Sequence, residues 1–182
     1  MSHIRSKDTR PELAVRRGLW RRGYRFRVNV RSLPGTPDIV LPKYRTAVFV
    51  NGCFWHGHHG CRSYTVPKTN TAFWKEKVER NRARDLLDAQ RLESIGWSTV
   101  TVWECELGKA RLEKTLDRIE SELKQNMSKW ERYRSRRRAD RQFAMEQARR
   151  RREIAALVEA ELAERLDTAI PESIKRMSKK EI

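Results

Sequence analysis

A chain that crowds two cysteines, three histidines and a Phe-Trp pair into the nine residues from Cys53 to Cys61 has few ways to fold there. The stretch RTAVFVNGCFWHGHHGC, Arg45 to Cys61, opens on the apolar run Ala47-Val48-Phe49-Val50 and breaks at Asn51-Gly52. Only then does it turn to thiols and imidazoles. A short apolar run closed by a turn signal fits a buried strand. The residues beyond Gly52 suit neither a core strand nor a solvated loop, so the strand is expected to deliver a side-chain cluster at its end.

Composition narrows the partners. The 182 residues are enough for one well-cored domain plus an appendage. A formal charge of +17 favours a polyanion, nucleic acid first and an anionic membrane surface second. No apolar run approaches the roughly 18 residues of a membrane span, and the polar opening MSHIRSKDTRPE is no signal peptide. A soluble, cytoplasmic protein is expected. Cys53, Cys61 and Cys105 make an odd count in a non-secreted chain, which argues against a disulfide framework and leaves metal binding or burial.

Thr9-Arg10-Pro11-Glu12 is a helix start, with Thr9 as N-cap, Glu12 completing a capping box and Pro11 tolerated in the first turn. That helix should run to about Arg22, anchored by Val15, Leu19 and Trp20, and stop at Gly23. Tyr24–Val30 alternates at strand period, Ser32–Pro37 is a turn, and Asp38–Leu41 and Arg45–Val50 read as further strands in meander order. A long helix over Ala72–Ile95, ended by Gly96, places Val78, Asn81, Asp85, Ala89 and Leu92 on one face. Trp97–Trp103 is a strand, and a last helix from about Glu106 carries Leu112, Leu116, Ile119 and Leu123.

The order αβββαβα predicts an α/β domain, a mixed sheet flanked by helices, over residues 1–125. Residues 126–182 form a charged helical extension, with 16 Lys and Arg against 10 Asp and Glu over 127–182. Its arginine clusters, Arg136–Arg138 and Arg149–Arg152, adjoin a modest apolar stripe of Ile154, Leu157, Val158, Leu162 and Leu166. Two readings stand: a solvated or self-associating helix, and a basic DNA-clamping arm.

Cys53, His58 and Cys61 have a spacing that one loop can fold around one ion, and Cys105 sits at the end of a strand that could lie alongside. Three thiolates and an imidazole make a closed tetrahedral Zn2+ set, and soft sulfur favours zinc or iron-sulfur over magnesium. The competing account is buried thiols beside an incidental histidine, and His59 remains an alternative to His58. His56 is left over on a rigid basic surface, where an imidazole suits general acid/base work.

Asp38 is either an ordinary turn residue after Pro37 or a hard oxygen ligand for Mg2+, as phosphodiester hydrolysis requires. Asp85 falls on the buried face of its helix and needs a partner, which His56 would supply. Capping alone accounts for Glu12.

Taken together, LPGTPD ending at Asp38, FVNGCFWHGHHGC, PKTNTAFW, the NRARD of the long helix and VWEC resemble the very short patch repair (Vsr) DNA mismatch endonucleases over about residues 1–125. The resemblance implies a restriction-endonuclease-like fold with a structural zinc. It implies Mg2+-dependent nicking of one strand of double-stranded DNA at T:G mismatches left by deamination of 5-methylcytosine.

By position, Asp38 matches the metal-binding aspartate, with the Val50 backbone carbonyl as a second Mg2+ contact. His56 matches the catalytic histidine, Asp85 its paired aspartate and Glu12 an acid near the metal. Cys53, His58, Cys61 and Cys105 match the Zn2+ ligands; Phe54, Trp55 and Trp74 match DNA-wedging aromatics. Two departures stand out: one extra residue between the zinc cysteines, and Asn51 at a position occupied by histidine in the version of the family best known. The resemblance also implies a bacterial, nucleoid-associated monomer with mismatch-repair proteins as candidate partners. Competing functions are a nicking nuclease of a defence or restriction system without a mismatch requirement, and a non-catalytic zinc-stabilised DNA-binding module.

Overall fold

The computed structural model describes residues 7–169, with side chains through 165; Leu166 of the expected apolar stripe and everything beyond 169 lie outside that range. Helix α1, Arg10–Arg21, begins where expected. Thr9 is extended at φ −66°, ψ 158°, and its hydroxyl accepts the Glu12 N–H at 3.4 Å. Past its end, Gly23 takes φ +84° and the Tyr24 N–H returns to the Leu19 carbonyl.

Strands β1, Arg27–Val28, β2, Ile39–Leu41, β3, Thr46–Asn51, and β4, Ser98–Trp103, form one sheet in the order β1-β2-β3-β4. The first two pairings are antiparallel and β3/β4 is parallel. The parallel step needs a long crossover, which helix α2, Thr71–Ser94, supplies. The expected strand over Tyr24–Val30 shrinks to two residues. Asn29 sits at φ +48°, a left-handed conformation that cannot continue a pleat, so the alternation of YRFRVNV outruns the pairing.

One core lies where α1 and helix α3, Leu112–Ala169, cover the sheet. Val15 and Leu19 meet Ile39, Leu41, Val48, Val100 and Val102 from the strands and Leu116, Ile119 and Leu123 from α3. Each such side chain contributes roughly 1.5–3 kcal/mol on burial. Close approach of the two helices needs Gly18, because a Cβ there would collide with Leu116. Val78 and Leu92 of α2 are buried outside this cluster. The result is a mixed α/β sheet flanked by helices, consistent with the restriction-endonuclease-like fold.

The chain divides into two compact units, Met1–Arg132 and Tyr133–Ile182. α3 begins at Leu112 rather than Glu106, a short 3-10 turn over Glu104–Glu106 coming first, and its helical hydrogen bonding runs through residue 125 without a break. Among the described residues no helix is long and apolar enough to cross a membrane.

Candidate active site and metal centre

The loop after β3 is built from consecutive tight turns. The His56 N–H reaches the Gly52 carbonyl at 3.2 Å, His58 reaches Cys53 at 2.9 Å, and Cys61 reaches His58 at 3.3 Å. Gly57 holds φ +61°, and a Cβ on it would lie 2.5 Å from Val78 Cγ1 and 2.7 Å from Arg82 Nε. The backbone must therefore pass against α2 with no side chain between.

Helix α2 grips the loop from its polar positions. The Asn81 amide donates to the Trp55 carbonyl at 2.8 Å, Arg82 donates to the Gly57 carbonyl, and the Asp85 carboxylate meets His56. Polar residues interrupt the buried face of α2 because that face binds backbone and imidazole instead of apolar side chains.

Donor atoms of Cys53, His58, Cys61 and Cys105 all lie within 4.8 Å of one another. The parallel register explains the distal cysteine. Asn51 pairs with Trp103, so two residues further along each chain come Cys53 and Cys105. His58 Nδ1 is 3.6 Å from the Cys53 sulfur and 3.4 Å from that of Cys105. A tetrahedron with Zn–S and Zn–N bonds of ordinary length has an N···S edge of about 3.6 Å, so the donor set fits zinc.

The His58 ring stacks flat on Trp103, with centroids 4.1 Å apart and planes 1° apart, which fixes its orientation. His59 is exposed; the imidazole among the thiols is that of His58. Burial raises the thiols of Cys53 and Cys105, the latter to about 12 with help from its sulfur neighbours, while the Ser63 N–H lowers Cys61. Thiols so crowded ionise together only around a cation, which is how metal binding releases protons.

The second cluster lies in a cleft of about 670 Å3 lined by Glu12, Asp38, Val50, Trp55, His56 and Asp85 among others. Asp38 stands just before β2, and its carboxylate accepts the Val50 N–H at 2.7 Å. Burial pushes its pKa up to about 6, with Glu12 adding to the rise and the Val50 N–H, Arg16 and His56 opposing it. His56 Nδ1 lies 2.5 Å from Asp85 Oδ2, which leaves Nε2 as the ring nitrogen available for proton exchange. Asp38 and His56 thus share one cleft.

Glu12 does more than cap. It is 4% exposed, accepts from the Thr9 hydroxyl at 2.8 Å, the Asp8 N–H at 3.0 Å and Arg16 at 2.9 Å, and still lines the cleft. Arg16 also reaches the Asp38 carbonyl at 3.2 Å and Asn29 at 3.4 Å, and pairs with Asp8.

Sequence reasoning missed Arg16 as the hub of these carboxylates. It also missed Asp88, 9% exposed in the same cleft, although the three-residue step from Asp85 was a usable signal. Asn51, where the familiar version carries histidine, is buried and lines the cleft too.

Phe54, Trp55 and Trp74 form one aromatic cluster, with ring centroids 5.2, 5.3 and 6.0 Å apart in edge-to-face arrangement. Phe73 joins through Trp74 at 5.2 Å and is 49% exposed. Lys77 holds its ammonium 5.3–5.7 Å from three of these rings. Phe73 and Lys77 were not anticipated, though both sit within a helical turn of Trp74.

A mixed sheet whose central strand ends in a thiol-imidazole cluster and borders an acidic cleft with a His-Asp pair is an arrangement of the kind a nuclease can use. Comparison with known proteins agrees. The family model for DNA mismatch endonuclease Vsr matches residues 1–62. The type II nicking enzyme V.XorIIP of Xanthomonas oryzae pv. oryzae is 51% identical over 122 residues, covering 64% of this chain and 89% of that protein. V.NmeAIP of Neisseria meningitidis serogroup A, also a type II nicking enzyme, is 47% identical over 125 residues, 68% and 89% of the two chains. DNA mismatch endonuclease Vsr of Escherichia coli K12 is 46% identical over 107 residues, 59% and 68%. The chain belongs to the Vsr family.

Proposed function

We propose that this protein is a DNA endonuclease that nicks one strand of duplex DNA at T:G mismatches arising from 5-methylcytosine deamination, by Mg2+-dependent phosphodiester hydrolysis. The observation that carries the proposal is the shared cleft of Asp38 and the His56–Asp85 pair, on a chain of charge +17. Asp38 and the Val50 carbonyl would hold Mg2+, with Glu12 beside them as a second source of negative charge. Bound there, the ion supplies charge neutralisation for the scissile phosphate and an activated water.

Asp85 fixes the His56 ring, so that Nε2 moves a proton to or from water or the leaving oxygen. Cleavage leaves a 5′-phosphate and a 3′-hydroxyl. Cys53, His58, Cys61 and Cys105 would hold a structural Zn2+ that keeps the loop carrying His56 rigid. Phe54, Trp55 and Trp74 wedge into the duplex beside the mismatch, where new stacking offsets the unstacking of bases. Residues 1–125 form the endonuclease domain and 126–182 an appended basic helical extension. The enzyme acts as a monomer on nucleoid DNA in the bacterial cytoplasm, alongside other mismatch-repair proteins.

A second reading is nicking within a restriction system without a mismatch requirement; the relatives at 51% and 47% identity are both named type II nicking enzymes. One assay separates the two. With Mg2+ present, nicking of a T:G duplex and not of the matched duplex of the same sequence supports mismatch repair. Equal nicking of both supports the alternative.

A further inference from the structure

The arginines of the second unit are not spread evenly around their helix. Residues 134–152 of α3 carry nine arginines against Asp140 and Glu146, all nine exposed. At 100° per residue, Arg134, Arg138, Arg141 and Arg152 fall on one row; Arg152 lies about five full turns beyond Arg134. No carboxylate shares that row. Asp140, Glu146 and Glu153 project from the flanks.

The ion pairs of this segment, Arg150–Glu146 and Arg149–Glu153, also leave the four row arginines out, and none of the four has a carboxylate partner among the described residues.

A solvated helix face is ordinarily stabilised by opposite charges three and four residues apart. This row does the reverse. Arg134 and Arg138 repel at i,i+4, and Arg138 and Arg141 at i,i+3, with nothing on the row to relieve them. Lone apolar side chains on it are limited to Met145, alongside Ala148, so an interfacial lipid helix with a broad apolar face is a poor fit. A polyanion with closely spaced charges relieves the repulsion. The row is about 27 Å long, along which duplex DNA presents about 16 phosphates.

We infer that the row Arg134, Arg138, Arg141 and Arg152 is a sequence-independent docking surface for the phosphate backbone of duplex DNA, separate from the cleft that holds Asp38 and His56. It rests on DNA being the partner of this protein, not on nicking having occurred. Guanidinium groups suit this use, since their planar forks match phosphate oxygens.

The test uses the full chain bound to matched duplex in Mg2+-free buffer, with affinity measured across salt concentrations. R134Q/R138Q/R141Q/R152Q should lower the slope of log affinity against log salt by about 3.6, because each lost phosphate contact removes about 0.9. The Lys version at the same four positions should keep the slope. R136Q/R137Q/R150Q/R151Q, an equal change of charge off the row, should lower it by about 1 or less. Far-UV circular dichroism checks that each variant stays helical.

Equal slopes for the row and off-row variants would overturn the inference. So would a row variant that loses self-association in sedimentation, or loses binding to anionic phosphatidylserine vesicles, while its DNA slope stays at the wild-type value. Nicking of T:G duplex is measured in parallel at saturating DNA. A wild-type protein that fails to nick yet shows the row effect removes the proposed activity and leaves the docking surface standing; nicking without a row effect does the opposite.

Discussion

His56 Nδ1 and Asp85 Oδ2 stand 2.5 Å apart, one on the loop after β3 and the other on α2, 29 residues later in the chain. The pair fixes which nitrogen of His56 is available to the cleft. Asp85→Asn keeps the shape and removes the carboxylate that orients the ring. It is expected to slow single-turnover nicking by about 10²–10⁴-fold while DNA affinity stays unchanged. Nicking at the wild-type rate would show that the pair is structural only.

The metal centre separates two adjacent histidines. His58→Ala should lose stoichiometric zinc, measured by elemental analysis, and lower Tm by about 10 °C, as expected for the loss of about 3 kcal/mol in a chain of this size. His59→Ala should keep both zinc and Tm, since His59 is exposed and stands outside the donor set. The reverse outcome would assign the ligand to His59.

Asp38 makes stability depend on pH in an unusual direction. Its pKa in the folded protein, about 6, lies above the ordinary value of 3.8 because burial opposes ionisation. Its cost to folding is absent below about pH 4, grows as pH rises through about 6 and is complete above that. In Mg2+-free buffer with zinc retained, Asp38→Asn should therefore be more stable than the wild type at pH 8 by about 3 kcal/mol. The two should converge near pH 4. Denaturant melts at both pH values measure this, and a less stable Asp38→Asn at pH 8 would contradict it.

Gly57 and Gly60 both have positive φ, but only Gly57 passes against α2. Gly57→Ala adds a clash with Val78 and Arg82 to the backbone strain and should cost about 1–3 kcal/mol. It should also slow nicking, because His56 is its neighbour. Gly60→Ala meets nothing within 4 Å and should cost less on both counts. Equal effects would mean that the approach to α2 does not hold the loop.

Much of this site was legible because its signals are local. The apolar run into Cys53, the cysteine at the end of β4 and two polar residues on the buried face of α2 are each readable from spacing alone. The parallel register of β3 and β4 then does the joining. The unreadable parts depend on tertiary contact or backbone strain. β1 stops at Val28 because Asn29 turns left-handed, which no alternation of side chains reports. Arg16 looks like any surface arginine of α1 until Asp8, Glu12, Asn29 and the Asp38 carbonyl converge on it. Lys77 meets Phe73 and Trp74 along its own helix but reaches Trp55 only once the loop after β3 folds over the start of α2.

The central claim is that Asp38 organises hydrolysis in the cleft it shares with His56. Single-turnover nicking of a T:G duplex with Mg2+, wild type against Asp38→Ala, tests it most directly, with zinc content confirming that the variant is folded. The expected result is a loss of at least about 10³-fold, on the order of 4 kcal/mol of transition-state stabilisation. An Asp38→Ala protein that nicks the same duplex at the wild-type rate would contradict the account.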